Sequence, residues 1–356
     1  MVSVMDTELK PRLISVGTAN PTTTYTQADL LELFQCENKL IRRFFTNSHI
    51  NKRHLVLPEP DEEGAMPFED GAALIDKHLK TSLSIGTESM GKCLANSAIT
   101  AEEIAYICAV TTTGFLAPGL SAYFTRDGGL RDNVHRVDVV GMGCNAGMNG
   151  LLQTSQYAAN NPGNPAMMVS SEICSAAYVF DMTVRTGVVN SLFGDGSAAI
   201  VLLASEELTA KDGPQIMGFE SLIVPQALEE MRFDFVDGLF SFYLGRDIPY
   251  MIGDNIEKPI NALLGRFGLK RRDIKHWLIH SGGKKVIDAI KYNLGITEHD
   301  VRHTRTILRD FGNLSSGAFL FSLQELTREG TAEEGDWGVT IAMGPGISIE
   351  TGLIRW

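Results

Sequence analysis

The sequence predicts an α/β protein assembled from two related halves, on three observations. Strand-like runs rich in β-branched and aliphatic residues alternate with amphipathic helical patterns, the signature of sheets covered by helices. The segment Ile99-Thr-Ala-Glu-Glu-Ile-Ala-Tyr-Ile-Cys-Ala-Val-Thr has an echo in Leu269-Lys-Arg-Arg-Asp-Ile-Lys-His-Trp-Leu-Ile-His. Each reads as a helix end, an acidic-Ile turn and an apolar strand, as a duplicated αβ unit would; the alternative is a chance likeness between two generic αβ units. Between them, the polar stretch 204–215 carries Asp212-Gly213-Pro214 and marks a boundary between residues 1–210 and 211–356.

In chain order, the strand-like runs fall at 13–17, 105–112, 136–142, 166–172, 198–204, 276–282, 338–344 and 349–356. Helical patterns include QADLLELFQ from Gln27, AGMNGLLQTSQYAA from Ala146 and EKPINALLGRFG from Glu257. The composition, 44% hydrophobic and 21% charged over 356 residues, is that of a soluble globular protein large enough for a sizeable core. A formal net charge of −12 removes the counterion-release term that drives binding to phosphate backbones, which excludes nucleic acid as a partner. An anionic substrate then needs a local basic patch. The five cysteines are odd in number and have no CxxC spacing, against a disulfide framework and against structural zinc. No run approaches the ~20 apolar residues of a membrane span, and the start has no basic region followed by a long apolar run. A cytoplasmic enzyme in a reducing compartment is expected, with no membrane partner.

The echo extends to chemistry. Gly143-Cys144-Asn145-Ala146-Gly147 and Gly312-Asn313-Leu314-Ser315-Ser316-Gly317 are both small and Gly-flanked, and both open an apolar helical run. Equivalent placement puts Cys144 and Asn313 at two helix starts facing each other across a pseudo-dyad. Unpaired N–H groups at a helix start favour thiolate over thiol and can also hold an oxyanion, so Cys144 is the candidate nucleophile. The plainer reading is an inert cysteine beside glycines that make room for it. Cys36 and Cys93 fall in helix patterns and Cys108 lies mid-strand, which makes them poorer candidates.

His280 closes an apolar strand and precedes Ser281-Gly282-Gly283, at the C-terminal strand edge where α/β sites form. It is either a satisfied core histidine or a functional one, and the two glycines that follow allow close approach of a ligand. Asn313 is an ordinary N-cap residue. Its amide can also donate a hydrogen bond to a thioester oxygen without protonating the enolate formed when malonate loses carbon dioxide, and neutral His280 can donate a second. A Cys–His–Asn set thus suits decarboxylative Claisen condensation, which needs neither a metal nor a redox cofactor. Gly344-Pro345-Gly346-Ile347-Ser348 lacks the Lys-Ser/Thr of a P-loop and is a weak phosphate signal.

The motifs around Cys144, Phe193-Gly194-Asp195-Gly196, Ile279-His280-Ser281-Gly282-Gly283, Gly312-Asn313-Leu314-Ser315-Ser316 and Gly344-Pro345-Gly346, in this order, resemble the type III polyketide synthases, chalcone-synthase-like members of the thiolase superfamily. The resemblance implies a homodimer of thiolase-fold subunits in a five-layered αβαβα arrangement, with a buried cavity reached by a coenzyme A tunnel. It implies Cys144, His280 and Asn313 as the catalytic triad and Phe193 and Phe242 as gatekeepers between tunnel and cavity; otherwise both phenylalanines read as core. It further implies Thr113, Cys174, Ala177, Gly282, Gly283 and Met343 as substrate-binding positions. The basic cluster Lys39, Arg42, Arg43, Lys52 and Arg53 stands where the family collects the coenzyme A phosphates, with Arg43 the best match and Asn47 where a further lysine is expected. A solvated charged face is the alternative for that cluster.

Departures bear on substrate. Ala342-Met343 replaces the Gly-Phe typical of plant members before Gly344-Pro345-Gly346, and the cavity run reads Ile173-Cys174-Ser175-Ala176-Ala177-Tyr178. With the segments 281–288 and 309–313, these features resemble the bacterial subgroup that makes 3,5-dihydroxyphenylacetyl-CoA. That likeness implies malonyl-CoA as starter and extender, four units joined, and a C8–C1 ring closure. The rival enzyme readings are a relative with another starter that makes a pyrone or alkylresorcinol, and a carrier-protein-dependent initiation synthase, against which Ser281-Gly282-Gly283 speaks. A non-catalytic acyl-CoA-binding scaffold of the same fold is the non-enzymatic alternative.

Overall fold

Apolar runs that must bury both faces build the centre of the molecule. A computed structural model describes residues 9–177, 183–236 and 239–356; Tyr178 of the expected cavity run lies outside them. The central sheet comprises β1 (Arg12–Ala19), β2 (Tyr106–Thr111), β3 (His135–Val140), β4 (Ala166–Glu172), β5 (Gly196–Leu203), β6 (Gln215–Leu222), β7 (Ile274–Ile279), β8 (Trp337–Gly344) and β9 (Ser348–Arg355). Their spatial order is β7-β8-β9-β6-β1-β5-β4-β2-β3. β4, Ala-Met-Met-Val-Ser-Ser-Glu, is buried at every position, as a strand covered on both faces should be.

The topology repeats. β2 runs parallel to β4, β4 antiparallel to β5, and β5 antiparallel to β1. In the second set β7 runs parallel to β8, β8 antiparallel to β9, and β9 antiparallel to β6. The two sets meet through one paired position, Arg12 with Gln215. The first set carries an additional parallel edge strand, β3.

Side-chain alternation divides the core into layers. Ile107 and Ala109 of β2 face an outer cluster with Met90 and Cys93 of α1 (Gly71–Ala95). Cys108 and Val110 face a central cluster with Met148 and Leu151 of α2 (Ala146–Asn160). The second set contributes to the same central cluster Leu278, Ala342 and Ile354, while its opposite face, with Trp277, Ile279, Val339 and Ile341, packs on α3 (Ile248–Arg266) and α4 (Lys284–Leu294). The helix α5 (Arg302–Phe311) leads to α6 (Ala318–Glu329), whose Phe319, Leu320 and Leu323 complete the central cluster. Helix, sheet, helix, sheet, helix is the resulting stack, as the resemblance implies.

Local patterns miss three features. β6 follows directly on the polar run 204–215 that reads as a boundary. The hairpin of Met231–Val236 with Leu239–Leu244 is absent from the runs identified above, although Asp237-Gly238 between two partly alternating stretches is a hairpin signal. α3 begins at Ile248, ahead of the expected pattern, and carries Pro259 within it. Among the described residues no helix is long and apolar enough to cross a membrane.

Candidate active site

The two Gly-flanked segments meet in the middle layer. Cys144 sits in a single helical turn, Gly143–Asn145, that leads into α2; Asn313 precedes a matching turn, Ser315–Gly317, that leads into α6. A Cβ on Gly147 would stand 2.1 Å from the Ser316 carbonyl oxygen, so the helix starts touch backbone to side-chain-free backbone. Gly143 has φ +78°, and its Cβ would fall 2.0 Å from Pro345 Cδ, which makes glycine obligatory there. The Gly344-Pro345-Gly346 stretch is therefore a wall against the nucleophile's turn rather than a phosphate loop.

Ser315 is where the chemistry converges. Its hydroxyl donates to Cys144 Sγ at 3.6 Å, and its backbone N–H donates to Asn313 Oδ1 at 2.9 Å. Its backbone also hydrogen-bonds the His280 ring. Ser315 adopts φ +49°, a conformation that a non-glycine residue holds only where its surroundings enforce it, as at functional sites. With the carbonyl end of Asn313 occupied, its NH₂ end is the one left to donate, and the Asn313 side chain is within hydrogen-bonding reach of Cys144. All three expected catalytic residues are buried, Cys144 at 6%, His280 at 2% and Asn313 at 3% exposure.

Burial dominates their protonation. The Cys144 thiol is pushed up to about 12 by desolvation, with hydrogen bonds from Ser315 and Asn313 acting against it. This corrects the expectation of a lowered pKa, because the donors and the helix start recover less than the sulfur loses on leaving water. The same desolvation lowers His280 to about 4, so its imidazole is neutral at physiological pH. Glu172, fully buried, has its carboxyl raised by desolvation. It accepts from Thr112 N at 2.9 Å, from the Thr112 hydroxyl at 3.1 Å and from Ser316 Oγ, and Thr112 Oγ1 lies 3.0 Å from Ser315 Oγ. Sequence reasoning missed Ser315, Thr112 and Glu172, since nothing in Asn-Leu-Ser-Ser-Gly sets Ser315 apart from Ser316.

The expected substrate-binding residues divide into those gathered here and those elsewhere. Cys174, Ala177, Phe193, Phe242 and Met343 share one packed cluster with Cys144. Phe193 and Phe242 meet edge to face at 5.9 Å, and Phe233 of the hairpin lies 4.7 Å from Phe242. Arg185 of the helix Val184–Asn190 pairs with hairpin residue Asp234, tying the helix that leads to Phe193 to the hairpin that carries Phe233 and Phe242. Thr113 Oγ1 accepts from Ile173 N at 2.8 Å and lies 3.4 Å from buried His78 Nδ1. Gly282 abuts the imidazole, its Cβ position 3.1 Å from His280 Cδ2, and Gly283 with φ +131° opens α4. Arg43, with Lys39 and Arg42, is exposed on the helix Lys39–Thr46.

Arg53 departs from the basic cluster. It is 1% exposed, with its guanidinium bound to main-chain carbonyls, because Lys52 and Arg53 alternate on a short strand and only the first faces solvent. A cavity of about 370 Å³ between the first helices and the segment 55–69 is bounded by Arg53, Cys174, Ser175, Asn190 and Phe193; the catalytic trio does not line it.

Comparison with known proteins identifies the family. Residues 4–206 match the N-terminal domain, and residues 217–356 the C-terminal domain, of chalcone and stilbene synthases. The chain is 46% identical to a 3,5-dihydroxyphenylacetyl-CoA synthase of Streptomyces toyocaensis, over 99% of this chain and 92% of that protein. It is 46% identical to the enzyme of the same name from Amycolatopsis orientalis, over 97% and 93%. The crystal structure of 1,3,6,8-tetrahydroxynaphthalene synthase from Streptomyces coelicolor A3(2), a bacterial type III polyketide synthase, superposes with TM-score 0.89 at 25% identity, covering 97% of this chain and 99% of that one. With its thiolase-like fold and matching domains over nearly its whole length, the chain belongs to the chalcone and stilbene synthase family and is a polyketide synthase of type III, an acyltransferase.

Proposed function

We propose that this enzyme joins malonyl units from malonyl-CoA, four in all, and cyclises the chain to 3,5-dihydroxyphenylacetyl-CoA. One observation carries the mechanism: Cys144, His280 and Asn313 all contact Ser315 at two apposed helix starts. In loading, Cys144 Sγ attacks the thioester carbonyl while His280 takes the thiol proton; the carbon–sulfur bond to coenzyme A breaks, and coenzyme A leaves with that proton. In extension, a malonyl thioester loses carbon dioxide, and its electron pair passes to an enolate. The neutral imidazole and the Asn313 amide donate hydrogen bonds to the enolate oxygen. A His280 pKa of about 4 supports this role, since an imidazolium would quench the carbanion by protonation. The carbanion then attacks the acyl-cysteine, forming the carbon–carbon bond and releasing Cys144.

No metal or redox cofactor enters this scheme; coenzyme A thioesters are the substrates. Arg43 and its exposed neighbours are the proposed holders of the coenzyme A phosphates, and Phe193 and Phe242 the gate. We also propose a homodimer built on the β3 edge, where Val140 and Met142 next to the Cys144 turn, and Phe115, are exposed large hydrophobics. Five free cysteines accord with a cytoplasmic setting.

The test is mass spectrometry of purified protein incubated with malonyl-CoA alone. An aromatic C8 acyl-CoA is expected. Product that forms only after a fatty or aryl starter is added would replace this reading with a pyrone or alkylresorcinol synthase.

A further inference from the structure

We infer that Arg53 is a positioning residue that sets Asn313 and Phe193 in register with each other. The inference rests on the proposed role of Asn313 in enolate stabilisation.

Arg53 is among the largest fully buried side chains of the protein. Its Nη1 donates to the carbonyls of Asn190 and Phe193, both at 2.6 Å, and Nη2 donates to Gln27 Oε1 at 2.8 Å. Gln27 is itself fixed by Ser48 Oγ and the Ser191 carbonyl, each at 2.8 Å. The guanidinium thus ties the end of the helix Val184–Asn190 to the carbonyl of the gate residue. Its aliphatic stem serves the other side. A Cβ on Gly312 would lie 2.8 Å from Arg53 Cδ and 2.9 Å from Cγ, so the residue before Asn313 rests on the arginine with no room for a side chain.

The two strips that Arg53 braces are bonded to each other. Asn313 N–H donates to the Leu192 carbonyl at 2.8 Å, and Gly194 N–H donates to the Asn313 carbonyl at 3.0 Å, a bridge that pairs Phe193 with Asn313. Movement of Arg53 therefore shifts gate and amide together. Burial lowers the Arg53 pKa to about 9, and against this the neighbouring, fully buried Asp195 favours the charged guanidinium; Asp195 is held by Val56 N, Ser175 N and the Ser175 hydroxyl. Lysine offers one compact ammonium in place of a fork whose two ends reach three acceptors, so Arg53→Lys keeps the charge and loses the brace.

The test compares Arg53→Lys and Asn313→Ala with the native enzyme, each verified as folded by circular dichroism. For Arg53→Lys, kcat for malonyl-CoA decarboxylation is expected to fall about 10- to 100-fold, because small misplacement of a catalytic group suffices for such losses, with KM within about threefold. Iodoacetamide labelling of Cys144, whose thiolate leans more on the Ser315 hydroxyl than on the Asn313 amide, should change by no more than about threefold. General loosening would move labelling and decarboxylation together, and that result overturns the inference. So does unchanged decarboxylation in folded Arg53→Lys while Asn313→Ala has lost it. Decarboxylation at the native rate in Asn313→Ala would overturn the functional reading itself, and this inference with it. If Arg53→Lys does not fold, Gln27→Ala removes one anchor of the guanidinium. A fall of about threefold in decarboxylation with labelling unchanged supports the brace, and no change overturns it.

Discussion

The two helix starts that meet at the middle of the molecule share a layout and differ in their contents. In each, a single helical turn leads into a buried helix, and each belongs to a set of strands with the same order and direction. The first start presents a sulfur and the second an amide, with Ser315 beside it. Before the first start lies the edge strand β3; before the second lies the helix α5. Duplication therefore supplied the convergence, and a few side chains supplied the asymmetry that makes it chemistry. A nucleophile and its donors need not be close in sequence when a pseudo-dyad brings equivalent positions together.

Exchanging the contents of either start should break this division of labour unequally. Cys144→Ala removes the acyl carrier, and condensation should fall at least about a thousandfold, with no acyl-enzyme in intact-protein mass spectra. Asn313→Ala leaves the sulfur and removes a donor to the enolate oxygen. Decarboxylation should fall about 100-fold in a stopped assay of carbon dioxide release, while acylation of Cys144 persists. The protonation of the first start gives the next effect. With the thiol at about 12, thiolate is scarce at neutral pH, so the iodoacetamide rate at Cys144 should rise about tenfold per pH unit from 7 to 9 without a plateau.

The contact between the starts can be loosened directly. Gly147→Ala places a methyl 2.1 Å from the Ser316 oxygen and should destabilise the protein by about 1–3 kcal/mol in urea unfolding, with loss of activity at a temperature the native enzyme tolerates. The last effect concerns His280. Its pKa is lowered from 6.5 to about 4 on folding, so between these values the unfolded chain binds the extra proton. The stability this group contributes is present above pH 6.5 and is lost as pH falls toward 4. His78, also lowered to about 4, acts in the same direction. Urea midpoints should drop over that window, and His280→Gln should flatten part of the drop.

Much of the fold is legible in local pattern because its strands are nearly all apolar; β4 and β8 fall at or within a residue of the runs that announce them. β6 is not, since Gln-Ile-Met-Gly-Phe-Glu-Ser-Leu mixes polar and apolar residues and gains strand structure from a pairing partner far along the chain. The hairpin is legible only through the pair Asp237-Gly238, because its strands mix polar and apolar residues. In the site, Cys144, His280 and Asn313 stand out because few residue types can be nucleophile, acid–base group or neutral donor, and each lies beside glycine. Ser315, Thr112 and Glu172 do not, being ordinary residues made important by what they touch. Arg53 shows the limit most clearly. It sits in a run of cations that looks solvated, yet strand alternation turns it inward, a signal available in Lys52-Arg53-His54 once the strand is known.

From the order of residues alone come the alternating αβ plan, the paired Gly-flanked segments and the chemical types able to form and cleave an acyl thioester, for these depend on local patterning and side-chain identity. The folded molecule adds the direction of the pKa shifts at Cys144 and His280, the hub at Ser315 and the inward turn of Arg53. Each of these depends on how much water is excluded and on which distant groups remain to replace it, and that is a property of long-range packing.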